Sequence, residues 1–149
     1  MRITMTGWLT AVAILALMPI LVAQDSSEGF VRITPEDLEW TVRPGGGSEF
    51  VYLHGDSQSE GLYIMRNKFP PGSFSAPHYH DQDRFITVIS GVWHTGTDAS
   101  GDRDNTVPLG PGSYMMHPAG AVHYDGAIDE EVIVEIRGMG PVQTIFLEE

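Results

Sequence analysis

Residues 72–91 read GSFSAPHYHDQDRFITVISG and residues 112–123 read GSYMMHPAGAVH; these two stretches decide the fold. In the first, His78 and His80 flank Tyr79 at i and i+2. Alternate side chains leave an extended strand on the same face, so both imidazoles can converge on one ion. Neutral imidazole suits zinc, iron, copper, nickel and, less well, manganese. An HxH pair alone is as readily a surface accident as a ligand pair, so its surroundings carry the weight. Gly72 precedes His78, and the β-branched and aromatic run Arg84–Ile89 is closed by Gly91. In the second stretch Gly112, Pro118 and Gly120 lead to His123 at fixed spacings.

Outward from these stretches, short segments of strand character recur at Glu49–His54, Leu62–Phe69, Ser113–His117, Val132–Ile136 and Thr144–Leu147. Turn signals separate them: Gly55-Asp56-Ser57, Pro70-Pro71-Gly72, Gly110-Pro111-Gly112 and Gly138-Met139-Gly140. Many short strands with no long helical period imply an all-β sandwich or barrel. Thr34-Pro35-Glu36-Asp37 reads as a one-turn helix start, and Gly45-Gly46-Gly47 as a flexible break. Thr97–Thr106 is the longest apparent loop, either a rim or lid or solvated filler. Phe85, Thr87 and Ile89 oppose Arg84, Ile86 and Val88 on one strand, and a strand apolar on both faces is buried on both. The outside therefore calls for a cover, either the N-terminal lead-in or a second subunit.

The two stretches together resemble the paired motifs of the cupin superfamily. Gly72, His78, His80 and Gly91 match the first motif; Gly112, Pro118, Gly120 and His123 match the second. The resemblance covers residues 72–127 and implies a cupin-type double-stranded β-helix, a jelly-roll barrel. It also implies one divalent metal ion, whether iron, manganese, zinc, nickel or copper, on His78, His80 and His123. Ala127 replaces a terminal asparagine that usually serves a turn. Arg84 stands where the family usually has a carboxylate ligand. A guanidinium has no lone pair to offer, so Arg84 cannot ligate. By parity with His80 it points inward, which leaves three readings. It positions an anionic substrate by a bidentate contact; or it pairs with an interior acid, Glu135 or Asp83; or the site has lost its metal and binds organic ligands only.

His117 shares the parity of Met115, which in cupins faces the barrel interior. It reads as a fourth ligand, as an acid/base group beside the ion, or as a core histidine bonded to backbone. Arg84 and His117 are thus the candidate catalytic residues. His54 and His94 have no motif support and read as structural or exposed, and Tyr79 and Tyr124 as packing residues. Such a site suits two kinds of enzyme: a Lewis-acid isomerase, lyase or cyclase, or a dioxygenase-like oxidoreductase, the kind the missing carboxylate slightly favours. The alternative is a non-catalytic module that binds a small ligand or metal.

Composition bounds the partners. The 149 residues hold 20 acids against eight Lys and Arg, a net charge of −12. Nucleic acid needs a basic face and an anionic membrane repels an acidic one, so the partner is a small molecule, an anionic one if Arg84 faces it. The absence of cysteine excludes thiolate metal sites, thiol nucleophiles and disulfides. Residues 1–23 read as a secretory signal, with Arg2, an apolar run from Trp8 to Ala23 and a polar break at Gln24–Ser27; an uncleaved anchor and a buried helix are the alternatives. The expected organisation is signal peptide 1–23, lead-in 24–47 and cupin domain 48–149. The mature protein is expected in the periplasm or secreted, off the membrane, and as a homodimer.

Overall fold

In the computed structural model, residues 29–147 are described; the expected signal segment lies outside them. From Ile33 onward the chain forms one compact all-β unit. Its eleven strands are β1 (Thr41–Val42), β2 (Glu49–His54), β3 (Gly61–Phe69), β4 (His78–His80), β5 (Arg84–Ser90), β6 (Trp93–Gly96), β7 (Val107–Leu109), β8 (Tyr114–His117), β9 (Tyr124–Gly126), β10 (Val132–Gly140) and β11 (Thr144–Phe146). A six-stranded sheet runs β1-β2-β3-β10-β5-β8. Opposite it stand a three-stranded sheet, β7-β6-β9, and the pair β11-β4, and a bridge from His78 to His123 links the two. Every pairing is antiparallel, and from β3 onward the chain alternates between the six-stranded sheet and the other strands, apart from the β6–β7 hairpin, in jelly-roll fashion.

Strict alternation builds the core. In β10 Val132, Val134 and Ile136 are buried, and in β5 Ile86 and Val88. They pack with Tyr63, Met65 and Phe69 of β3, Trp93 of β6 and Ala127. Ala127, in place of the motif's asparagine, is fully buried and donates its N–H to the Ser73 carbonyl at 2.8 Å. The turn at Thr34 forms as read, with Asp37 accepting from the Thr34 N–H and hydroxyl at 2.8 and 2.9 Å. β1 falls within the lead-in and pairs with β2.

One expectation needs correction. Gly138-Met139-Gly140 is not a turn but the end of β10, still paired with β3. A Cβ on Gly138 would lie 2.6 Å from the Tyr63 hydroxyl, and one on Gly140 2.2 Å from the Ser59 carbonyl, so these glycines permit close approach rather than reversal. The loop Thr97–Thr106 is solvent-exposed over most of its length and is tethered by the buried Tyr124 hydroxyl, which donates to the Asp102 carbonyl at 2.8 Å. The described part of the lead-in leaves the outer face of β5 open, with Phe85 41% and Ile89 40% exposed.

Candidate metal centre and its cavity

Strand register brings the three motif histidines together. His78 and His123 face each other in the antiparallel bridge, each N–H donating to the other's carbonyl at 2.9 Å. Gly120, at φ +78°, donates its N–H to the His80 carbonyl at 2.7 Å. The Pro-x-Gly spacing thus docks the turn before β9 onto β4 and sets His123 beside the HxH pair. All three side chains are buried, and one ligating nitrogen from each lies within 4.8 Å of the others.

Their far nitrogens fix the tautomer. The Nδ1 of His78 faces the Ala76 carbonyl at 2.8 Å, that of His123 the Ala121 carbonyl at 3.0 Å, and that of His80 the Gln143 carbonyl at 3.2 Å. Each Nδ1 therefore carries the proton and donates, which leaves the Nε2 lone pair for a ligand. The Nε2 of His123 is buried and has no partner. An orphaned lone pair beside two further imidazoles is the donor set a borderline divalent ion requires, so the residues fit such an ion.

Arg84 opens β5 on the inner face, as parity requires, but the two acids considered for it are engaged elsewhere. Glu135 points outward to Arg66, at 3.2 Å, and to Arg137. Asp83 accepts the Ala119 N–H at 2.8 Å. Instead the Arg84 Nη1 contacts the Nε2 of His80, the atom that would ligate, while the Arg84 Nε is buried without a partner.

His117 faces Arg84 across the β5–β8 ladder and stacks on His123 with ring centroids 3.7 Å apart. Both its nitrogens are buried and unpartnered, so it is not the backbone-bonded core histidine considered among the alternatives. With His123 and Asp125 it forms a second group of buried ligand atoms within 4.8 Å of one another. Burial, reinforced by the neighbouring His123 and Arg84, pushes the His117 pKa down to about 2. Burial and Arg84 push that of His80 down to about 2 as well. Both rings are neutral at ordinary pH, the state in which imidazole ligates or hydrogen-bonds through a lone pair. His54 is exposed and His94 bonds Thr106, as their lack of motif support implied. Tyr79 is half-buried and pairs across β4–β11 with Ile145.

A cavity of about 340 Å³ opens beside this cluster. His78, Arg84, His117 and Asp125 line it, and so do Arg43 and Asn67. Asp125 accepts from the buried Trp93 Nε1 at 3.4 Å. Arg43 was not legible as a site residue. It lies in the lead-in, and only the folding of the 43–48 turn carries it to the cavity. The one sequence signal was an arginine placed before Pro44-Gly45-Gly46-Gly47 in a base-poor chain.

A closed β-structure whose interior carries three convergent histidines on two motif strands defines the chain as a cupin. More narrowly, it belongs to the ChrR cupin-like domain family, which matches residues 28–143. Similar solved structures carry the same fold. The polyketide cyclase RemF from Streptomyces resistomycificus superposes with a TM-score of 0.64 at 20% identity, over 80% of this chain and 88% of that one. A sugar phosphate isomerase of the cupin superfamily from Silicibacter pomeroyi gives 0.61 at 18%, over 80% and 83%. The DMSP lyase DddQ from Ruegeria pomeroyi gives 0.59 at 17%, over 74% and 61%. No curated protein matches in sequence.

Proposed function

We propose that this chain is an exported cupin that binds one divalent metal ion on His78, His80 and His123 and acts on a small organic anion. The observation that carries the reading is the set of three convergent buried imidazoles, each with Nδ1 held by a backbone carbonyl so that Nε2 carries the lone pair, unpartnered in His123 and shared with Arg84 in His80. An ion held there would act as a Lewis acid on a ligand oxygen. Arg84 would hold the ligand's anionic group through its guanidinium fork. His117, unpartnered and neutral, would donate or accept one proton in the ligand's hydrogen bonding. The structurally similar cyclase, isomerase and lyase support placing the reaction in the lyase, isomerase or cyclase class rather than in dioxygen chemistry. The signal-like residues 1–23 support export. An exposed apolar row on the outer face of β5 and the edge strand β8, with Phe85, Ile89, Tyr114 and Met116, supports a homodimer.

A second reading has its own observation: Arg84 already engages the His80 Nε2, as in a module that binds organic ligands without metal. Metal analysis of the purified mature protein separates the two. The first reading expects about one equivalent of a transition metal, lost in the double variant His78→Ala/His123→Ala. No bound ion after reconstitution with zinc, manganese, nickel or anaerobic iron gives the second reading. Oxygen consumption with a panel of β-diketones, catechols and 2-hydroxy acids tests the choice of reaction class, and steady turnover of O₂ would reverse it.

A further inference from the structure

We propose that Arg43 and Asn67 form a second anion subsite, so that the cavity takes a small dianion, such as a dicarboxylate, with one acidic group at Arg84 and the other at Arg43. The inference rests on the anionic-ligand reading above and deepens it. Arg43 is placed by its own turn: its N–H donates to the Ser48 carbonyl at 3.0 Å, and its carbonyl accepts from the Gly46 N–H at 2.9 Å. Gly45, Gly46 and Gly47 all take positive φ, which lets the chain double back where Gly46 and Gly47 line the cavity. The guanidinium is then held on two sides. Nη2 donates to the Asn67 Oδ1 at 2.8 Å, and Cζ sits 4.8 Å above the Phe50 ring.

Neither contact neutralises the charge. A partly buried cation is ordinarily met by a carboxylate, and three other bases of the barrel obey that rule, while Arg103, which has no acid partner, is exposed. Arg66 and Arg137 pair with Glu135, and Lys68 with Glu49. Among the described residues, Arg43 and Arg84 form no ion pair, although the chain carries 20 acids. Both line the same cavity. Its wall offers one carboxylate, Asp125, which is engaged by the Trp93 Nε1. The two guanidiniums feel one another: burial, and then the charge of Arg84, lower the Arg43 pKa. With a divalent ion bound, two guanidiniums against one carboxylate leave three positive charges around the cavity. A monoanion would leave two of them uncompensated, a dianion one.

The test is calorimetric titration of the protein as purified with dicarboxylates of three to six carbons and with the monocarboxylates of equal length. At one or more lengths the diacid should bind about tenfold tighter or more, the worth of one charge-assisted contact. Arg43→Gln should erase that preference, weakening diacid binding about tenfold more than monocarboxylate binding, and leave metal content unchanged. Asn67→Asp keeps Arg43 in place but pairs it with an internal carboxylate, so it should erase the preference too. A diacid preference that survives both variants overturns the second subsite. So does a parent protein that binds monoacids and diacids equally through Arg84, a result that leaves the anionic-ligand reading standing. A parent protein that binds neither acid overturns both.

Discussion

Replacing Arg84 by Gln should tighten divalent metal binding. In this structure the Arg84 Nη1 contacts the His80 Nε2, and a metal on the three histidines needs that same lone pair. A hydrogen bond from a charged donor is worth about 1.5–3 kcal/mol, and ion binding must give it up. The guanidinium cannot simply stay beside the ion. A unit charge and a divalent charge about 5 Å apart repel by roughly 7 kcal/mol at an effective dielectric near 20, so the side chain has to turn into the cavity. Glutamine keeps much of the length and removes the charge. Counting only the lost hydrogen bond, the variant should bind zinc about 10- to 150-fold tighter than the parent. Arg84→Glu, which returns a carboxylate to the ligand position of the cupin motif, should exceed it. The assay is competition for zinc against a chromogenic chelator at pH 7.5, with circular dichroism melts to confirm the fold. Equal or weaker zinc affinity in Arg84→Gln would refute the reasoning. It would mean that Arg84 leaves His80 at no cost, or that the ion binds elsewhere; adding His78→Ala/His123→Ala to the variant decides between these.

Three further outcomes are expected. In metal-stripped protein, burial holds the pKa values of His80 and His117 down at about 2, against about 6.5 for an unfolded histidine. The unfolded chain thus takes up protons that the folded chain refuses, and stability, full above about pH 6.5, falls by up to ~1.4 kcal/mol per pH unit per histidine as the pH drops towards 2. Urea unfolding at pH 7, 6 and 5 should show this decline, shallower in His117→Gln; equal stability across that range would contradict it. A Cβ at Gly96 would sit 2.0 Å from Cζ of the buried Tyr124, whose hydroxyl is tied to the Asp102 and Asn105 carbonyls. Gly96→Ala should therefore cost about 1–3 kcal/mol and several degrees in Tm, whereas Gly110→Ala, with nothing within 4 Å, should be nearly neutral; similar melting curves for the two would count against the packing argument. Phe85→Glu should shift the protein from dimer to monomer in sedimentation velocity, and a monomeric parent would remove the homodimer.

What was legible in the sequence was whatever is fixed by local periodicity. The 3.3 Å rise and two-residue repeat of a strand are enough to place His78 and His80 on one face and to send Arg84, Ile86 and Val88 inward. They do not say which strands meet. β6, β7 and β9 escaped notice because they are three or four residues long and mix polar with apolar side chains, so their alternation is too short to stand out. Gly138 and Gly140 were misread because a glycine signals reversal and close approach with the same letter, and only the Tyr63 hydroxyl and the Ser59 carbonyl distinguish the two.

The same division runs through the site. His123 was legible through the resemblance of Gly112, Pro118, Gly120 and His123 to the second cupin motif, and the bond from Gly120 to the His80 carbonyl shows what that spacing does in the fold. Arg43 was not, because its placement depends on a residue far from it in sequence, Asn67 on β3, and its significance on Arg84 of β5, which lines the same cavity. A spacing motif can specify the metal end of such a cavity, since the ligands must meet one ion at fixed distances. The rest of the lining answers to the shape and charge of the organic molecule, and any element that reaches the cavity can supply it. Specificity residues in this fold should therefore be sought among unpaired charges on the cavity wall rather than by extending the histidine motifs. In this chain that criterion selects Arg43 and Arg84 together.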